Sequence, residues 1–457
     1  MKRLLTVLAE WLQAEGQLMD DVLVSGVSID TRTLKEGDLF IPFRGEQVNG
    51  HKYVRQAIEK GAAASLWMKD EPGAPSDIPL IFVDDPELAL QQLARAYREE
   101  LACRFIGITG SNGKTSTKDL IASVLSPYFK VQKTEGNFNN QLGLPLTILS
   151  LEEDAEVAVL EMGMSGFNEI SFLSYLAKPH YAVITNIGEA HMQDLGSREG
   201  IAKAKFEIID GLQEDGTLFY DGDEPLLNAL VSEHLELRAV SFGYDDSADL
   251  SLVSTESGDE GSRFTAKGII DGSFTIPVFG SHQVKNSLAA ILIARELGLN
   301  NEQIDAALRQ SKLTDMRMQP VVANNGALFI NDAYNAAPTS MQAALAFLQD
   351  TKLRSDKWAV LGDMLELGEN ERHYHESIAR QLGTISLQGI LLYGPRMKWL
   401  YEELLNTGNE TQVIWSESDY DPLIATLLSS IDENSIVLLK GSRGMALEKI
   451  MNGVLQA

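Results

Sequence analysis

A single cysteine in 457 residues leaves no internal disulfide possible, so Cys103 fits a reducing compartment and the expected location is the cytoplasm. Long hydrophobic runs are missing too: nothing reaches the roughly 18 consecutive apolar residues of a membrane-spanning helix, so no membrane insertion is expected. The opening MKRLLTVLAEWLQAEG has a basic start, but Glu10, Gln13 and Glu15 interrupt its apolar residues. It reads as an amphipathic helix rather than a signal peptide. Positive charge is scarce as well, with 38 Lys and Arg against 65 Asp and Glu, a net charge of −27. A general affinity for nucleic acid or anionic membrane needs a broad basic surface, which this balance excludes. Anionic ligands must therefore be met by local basic or dipolar sites. Short-period repeats and low-complexity tracts are also absent.

What remains is an ordinary globular composition, 44% apolar and 23% charged. The length exceeds what one hydrophobic core usually organises, and three domains are expected, at 1–84, 85–313 and 314–457. The first reads as a small α/β unit, with strands near 24–29, 38–43 and 79–83 and a helix over 53–60. The helix 87–101 leads into the second. There, helical patterns alternate with apolar strands at 105–109, 157–162, 181–187 and 217–220, which implies a largely parallel sheet. Residues 249–279 alternate polar and apolar positions and predict antiparallel hairpins, and a helix over 283–297 closes the domain. The third domain repeats the α/β rhythm, with strands at 327–331, 358–361, 389–393, 412–415 and 435–439, as in a doubly wound, Rossmann-like sheet.

The most informative stretch is GITGSNGKTSTK, residues 107–118. An apolar strand runs into Gly110, Ser111, Asn112 and Gly113, and a helix starts near Lys114, the strand, loop and helix context of a phosphate-binding loop. Glycines let backbone N–H groups turn toward an anion, and the helix N-terminus adds a positive dipole end. Lys114 is placed to neutralise β- and γ-phosphates, and Thr115 to offer its hydroxyl to Mg²⁺. Ile108 stands where the commonest pattern has its first glycine, so the loop is a variant.

Other residues fall where such a loop needs help. The strand ending in Glu161 puts an acid where a Mg²⁺ ligand belongs, although a lone acid there is more often a solvated cap. The strand 182–187 opens onto His191, an imidazole able to bind metal or substrate; alone, such a histidine is usually a surface residue. Lys203 and Lys205 lie two positions apart on one helix and point to different faces, so one of them can face a cleft. The amides Asn137, Asn139 and Asn140 suit a polar ligand or a turn-rich loop about equally.

Ten ordered segments together carry a resemblance: SIDTRTLKEGDLFIPFRGEQVNGH (28–51), TGSNGKTSTK (109–118), GNFNNQLGLP (136–145), LEMGMSGFNEI (160–170), NIGEAHM (186–192), AKAKFEI (202–208), GSHQVKNSLAA (280–290), NDAYNAAPTSM (331–341), LGDMLELG (361–368) and KGSRGM (440–445). The chain resembles the Mur ligase family of ATP-dependent amide-forming enzymes across all three expected domains. The resemblance implies a ligase joining D-alanyl-D-alanine to UDP-N-acetylmuramoyl-tripeptide through an acyl phosphate, acting as a monomer. Asp30, Thr31, Arg32, Arg44 and Gly45 match the pattern of the domain that holds the UDP end, and Asn137, Asn139 and Asn140 join the implied substrate set. Residues 109–116 (Thr109, Gly110, Ser111, Asn112, Gly113, Lys114, Thr115 and Ser116) match the ATP loop. His282 and Asn286 match the nucleotide-contact segment, and Arg317, Asp332, Tyr334 and Asn335 the ATP-facing part of the C-terminal domain. Thr115, Glu161, His191 and Lys205 are the implied Mg²⁺ set, with Lys205 carried as a carbamate; Lys114, Lys205, His191 and Arg317 are the implied catalytic residues.

The chain departs from the pattern at Gln283 and Ala337, each usually Asn, and at Met316, where Gly often precedes the arginine. No Asp-Asn-Pro-Arg tetrapeptide occurs, which favours the dipeptide-adding member over enzymes that add the third amino acid. The rival expectations are a sister ligase using a free amino acid, a folylpolyglutamate-synthetase-like ligase, and a P-loop ATPase without ligase activity.

Overall fold

The structure is a computed structural model describing residues 1–18, 22–45, 48–189, 191–258, 261–407 and 411–456, with the side chains of 193 and 257 outside the description. The chain divides into two compact units. One holds Met1–Thr109, Tyr128–Ala182 and Glu207–Thr217; the other holds Gly110–Pro127, Val183–Phe206 and Leu218–Ala457.

In the first unit a five-stranded sheet runs in the order Gly16–Gln17, Leu80–Val83, Ala64–Met68, Asp38–Phe40, Gly26–Ser28, parallel except at its Gly16–Gln17 edge. The strand Ala64–Met68 is absent from the sequence expectation because ASLWM contains no β-branched residue; burial along nearly its whole length makes it a strand. The helix Pro86–Glu100 starts where the Asp85 carboxylate accepts from Glu87 N and Leu88 N, with proline in its first turn. It buries Leu90, Leu93, Ala94 and Tyr97 along one face. The same unit holds three parallel strands, Val131–Lys133, Val157–Glu161 and Arg104–Thr109, with Val157–Glu161 between the other two. Glu161 lies opposite Ile108, two residues before Gly110.

In the second unit residues 218–221 pair in parallel with Ala239–Gly243, and the expected hairpins form from Leu250–Gly258, Gly261–Gly268 and Gly272–Ile276, each antiparallel to the next. A six-stranded sheet follows in the order Gln319–Val322, Leu328–Asp332, Ser435–Lys440, Asp356–Gly362, Gly389–Tyr393, Gln412–Ser416. Its neighbours are parallel except at the first edge, where Pro320 keeps an outer position that needs no N–H. Both faces are covered: Ile436 and Leu438 enter one apolar cluster, and Val437 and Leu439 the other. Near-continuous apolar strands are what such a doubly covered parallel sheet demands.

Candidate functional site

The strand Arg104–Thr109 delivers Thr109 fully buried, and the chain then turns through Gly110 (φ +149°) and Gly113 (φ +81°) into the helix Lys114–Leu125. Neither turn tolerates a side chain. A Cβ on Gly110 would stand 1.9 Å from Thr185 Oγ1, and one on Gly113 2.9 Å from Asn286 Oδ1.

Two residues that the sequence reading left unassigned shape this loop. The expected strand 181–187 stops at Ile184, because Thr185 and Asn186 leave the sheet to clamp the turn. Asn112 N donates to Asn186 Oδ1 (2.9 Å), while Asn186 Nδ2 and Thr185 Oγ1 both donate to Asn112 O (2.9 and 2.5 Å). Ser111 N donates to Asn186 O, and Ser111 Oγ accepts from Gly188 N. The signal was there in the polar Thr-Asn pair closing an apolar strand beside a glycine loop. Lys114 Nζ, folded back, donates to Gly110 O at 2.7 Å.

Around the loop, the helix Ser281–Glu296 presents Gln283, whose amide donates to Ser116 Oγ (3.3 Å), and Asn286, buried against Gly113. Gln283, one of the departures from the family pattern, thus still reaches the loop helix. Burial pushes the His282 imidazole toward its neutral form, and its Nδ1 has no hydrogen-bond partner among the described residues. Arg317 donates to Thr115 Oγ1 at 3.0 Å and stacks its guanidinium 4.2 Å from the Tyr334 ring centre; its Nε has no partner among the described residues. Asp332 accepts from Met318 N and pairs with Lys440 Nζ at 2.7 Å, and Lys440 also donates to Asn335 O. Lys440 is the buried last residue of the strand Ser435–Lys440, one residue beyond the expected strand 435–439.

Of the lysine pair, Lys203 is exposed and Lys205 is buried. Desolvation, followed by the charge of Lys114, lowers the Lys205 pKa well below the usual lysine range; among the described residues no carboxylate acts on it. The His191 imidazole is held toward its neutral form by burial first and then by Lys205 and Lys114. His191 adopts a left-handed backbone (φ +66°) and starts the short helix Met192–Leu195; Ala190, within the same motif, lies outside the described residues. Thr115, His191, Lys205, Arg317 and the 282–286 segment therefore share one unit with Lys114.

Glu161 and the amide-rich segment belong to the other unit. Glu161 is buried at its strand end and accepts from Asn139 Nδ2 at 2.8 Å, with its own N–H on Thr134 Oγ1. Asn140 turns its carbonyl to Leu142 N and Gly143 N at the start of the helix Gly143–Ser150, and Asn137 is exposed. Of the three amides, Asn139 is the one joined to the candidate metal acid. Among the described residues no three His, Cys, Asp or Glu side chains gather as a ready metal centre. The implied set contains only two of those types, Glu161 and His191, which suits Mg²⁺, an ion that usually keeps waters and substrate phosphates as ligands.

The residues that the resemblance implies for the UDP end are tied locally. Arg32 forks onto Asp30 (2.6 and 3.0 Å), whose pKa this hydrogen bonding lowers to about 2. Thr31 O accepts from Lys60 Nζ, Arg44 pairs with Asp70 and Glu71, and Gly45 N donates to Val48 O. These pairs are exposed and contribute little to stability.

Comparison with known proteins places this arrangement. Three family descriptions match: "Mur ligase family, catalytic domain" over residues 23–98, "Mur ligase middle domain" over 108–294, and "Mur ligase, glutamate ligase domain" over 316–443. The UDP-N-acetylmuramoyl-tripeptide--D-alanyl-D-alanine ligase of Bacillus subtilis is 44% identical over 96% of this chain and 94% of its own length. The protein of the same name from Haemophilus influenzae is 33% identical, covering 99% of this chain and 98% of its own. Among solved structures, MurF from Acinetobacter baumannii superposes with a TM-score of 0.90 at 28% identity, covering 100% of this chain and 99% of that one. MurF from Thermotoga maritima in complex with ADP gives 0.85 at 27% identity, covering 96% and 99%. With this three-domain α/β fold and a close relative aligned along nearly its whole length, the chain belongs to the Mur ligase family.

Proposed function

We propose that this protein is the ATP-dependent ligase that joins D-alanyl-D-alanine to the carboxylate of the third peptide residue of UDP-N-acetylmuramoyl-tripeptide, completing the pentapeptide precursor of peptidoglycan. The observation that carries the reading is the clamped glycine loop with Lys114 at its helix mouth, in one unit with Lys205, His191 and Arg317. The full-length identity to the Bacillus subtilis ligase supports the substrate assignment.

In the reaction, the peptide carboxylate attacks the γ-phosphorus of ATP, ADP leaves, and an acyl phosphate remains. The amine then bonds to the acyl carbon through a tetrahedral intermediate, the C–O bond to phosphate breaks, and the nitrogen gives up a proton to leave the amide. Residues Thr109 to Ser116 hold the phosphates, Lys114 spreading positive charge over the β- and γ-groups as charge develops. Arg317 adds a second cation, and its stacking on Tyr334 keeps the guanidinium flat and in place. His282, Asn286, Asp332 and Asn335 hold the rest of the nucleotide. Asp30, Thr31, Arg32, Arg44 and Gly45, with Asn137, Asn139 and Asn140, bind the nucleotide-sugar and its peptide. The three domains divide near residues 84 and 313, and the enzyme acts as a cytoplasmic monomer.

Thr115, Glu161, His191 and Lys205 would hold Mg²⁺, which when bound neutralises phosphate charge and orients the transferring group. Buried Lys205 fits a carbamate: its amine is driven neutral, and a neutral amine bonds to carbon dioxide, releases a proton and becomes an anion. With isotope-labelled bicarbonate, a carbamate carbonyl signal should appear in the NMR spectrum of the wild type and vanish in Lys205→Arg. Its absence from the wild type would remove the carbamate from the scheme.

The decisive assay measures phosphate release from Mg-ATP with UDP-N-acetylmuramoyl-tripeptide, comparing D-alanyl-D-alanine with free amino acids, and weighs the product by mass spectrometry. A pentapeptide product with the dipeptide alone is the expected result. Turnover only with free amino acids would make it a sister ligase, and release indifferent to the nucleotide-sugar an ATPase.

A further inference from the structure

Between the helix Asn301–Leu308 and the strand Gln319–Val322 the chain takes an irregular course through residues 311–318, and side chains take up alternate backbone N–H groups along it. Lys312 N donates to Ser123 Oγ (3.4 Å), Thr314 N to Asp119 Oδ2 (2.8 Å), Met316 N to Gln319 Oε1 (3.1 Å) and Met318 N to Asp332 Oδ1 (3.1 Å). The first two acceptors belong to the helix Lys114–Leu125, which opens at the phosphate loop. Thr314 adds its hydroxyl to the same carboxylate oxygen, 2.6 Å from Asp119 Oδ2.

Three residues further on, Arg317 donates to Thr115 Oγ1 at 3.0 Å. Thr115, Asp119 and Ser123 are spaced by four, so they line one face of the helix at intervals of about 6 Å. Residues 317, 314 and 312 meet them in turn. The segment therefore runs antiparallel along the phosphate-loop helix and delivers Arg317 at its mouth, all within one unit.

Asp119 is fully buried, with Lys118 Nζ 3.8 Å away. A carboxylate taken out of water is costly unless hydrogen bonds replace its hydration. In the reaction above Asp119 has no chemical task, yet it spends this cost on Thr314, at the start of the segment that carries Arg317. A segment tied at Thr115 alone could swing about that point; a second tie one helical turn away fixes its direction as well.

We infer that Asp119 is a positioning residue: by holding Thr314 through two hydrogen bonds, it sets where the Arg317 guanidinium meets the phosphate loop. The inference rests on the reading of Arg317 as the second cation at the transferring phosphate.

Thr314→Val removes the hydroxyl at nearly constant volume, Thr314→Ser keeps it, and Asp119→Asn removes the charge while keeping the shape. Thr314→Val and Asp119→Asn should each lower kcat about tenfold, with KM for the amine and for the nucleotide-sugar within about twofold, and Thr314→Ser should keep kcat within about twofold of the wild type. A double-mutant cycle isolates the route. In an Arg317→Ala background, itself slow, Thr314→Val should change kcat by less than about twofold, because the group being positioned is gone. Unchanged kcat in either folded variant, or the same fractional loss with and without Arg317, would overturn the positioning role alone. Full kcat in Arg317→Ala would overturn the reading of Arg317 and this inference with it. Turnover is followed as phosphate release with whichever amine the wild type uses, so a failed dipeptide assignment leaves the cycle decisive.

Discussion

Two turns in the unit that holds Lys114 take the left-handed region of backbone space, and they are built from opposite residues. The phosphate loop uses Gly110 and Gly113, where any Cβ would collide with Thr185 or Asn286. The turn that carries Arg317 uses Met316 (φ +63°) and Met318 (φ +54°), methionines bearing the strain on either side of the arginine. In the first, glycine is dictated by space as well as by dihedral angle. In the second, only the dihedral angle is unfavourable, and it is held by Gln319 Oε1 on Met316 N, Asp332 Oδ1 on Met318 N, and Met316 O on Tyr334 N. One left-handed turn is thus fixed by what surrounds it, and the other by its own hydrogen bonds.

Four substitutions test these two turns. Lys114→Ala should lower ligation by about a thousandfold or more, because a preorganised charge at the transferring phosphate is lost. Its thermal midpoint should barely move, and full activity in the folded variant would sink the phosphate-loop assignment. Gly110→Ala meets both the dihedral and the steric objection and should destabilise by about 3 kcal/mol in chemical denaturation. Wild-type stability would mean that the Thr185 clamp yields. Gly113→Ala meets a softer obstacle, an amide oxygen 2.9 Å away, and should cost about 1–2 kcal/mol and raise KM for ATP through the displaced Asn286. Met316→Gly should go the other way, gaining up to about 1 kcal/mol by relieving the left-handed strain, offset in part by the added freedom of the unfolded chain. A loss of stability there would show that the methionine side chain matters more than its backbone angle.

This contrast also explains what was legible in the sequence. A phosphate loop is readable because its backbone demands glycine at fixed spacing, and glycine is visible in a string of letters. Met316 stood out only as a departure from a pattern; the angle behind the usual glycine is a property of the folded turn. The parallel sheets were readable from their apolar runs, whereas Ala64–Met68 was not, because burial rather than propensity makes it a strand. Helix geometry could say only that one of Lys203 and Lys205 faces a cleft; the family resemblance named Lys205, and packing buries that lysine while leaving Lys203 exposed. Thr185 and Asn186 escaped notice because the apolar run was read through to Ile187, although the polar pair within it marks where the strand leaves the sheet.

The clamp on Asn112 carries a consequence for how ATP is met. Its donors and acceptors are side chains and backbone of the same protein, so the loop holds its shape without a ligand. A loop that is already ordered loses little conformational entropy when the nucleotide enters, and more of the contact energy appears as affinity. Hydrogen exchange at Ser111 and Asn112, whose amides are engaged by Asn186, should then be slow in the free protein and change little on nucleotide binding.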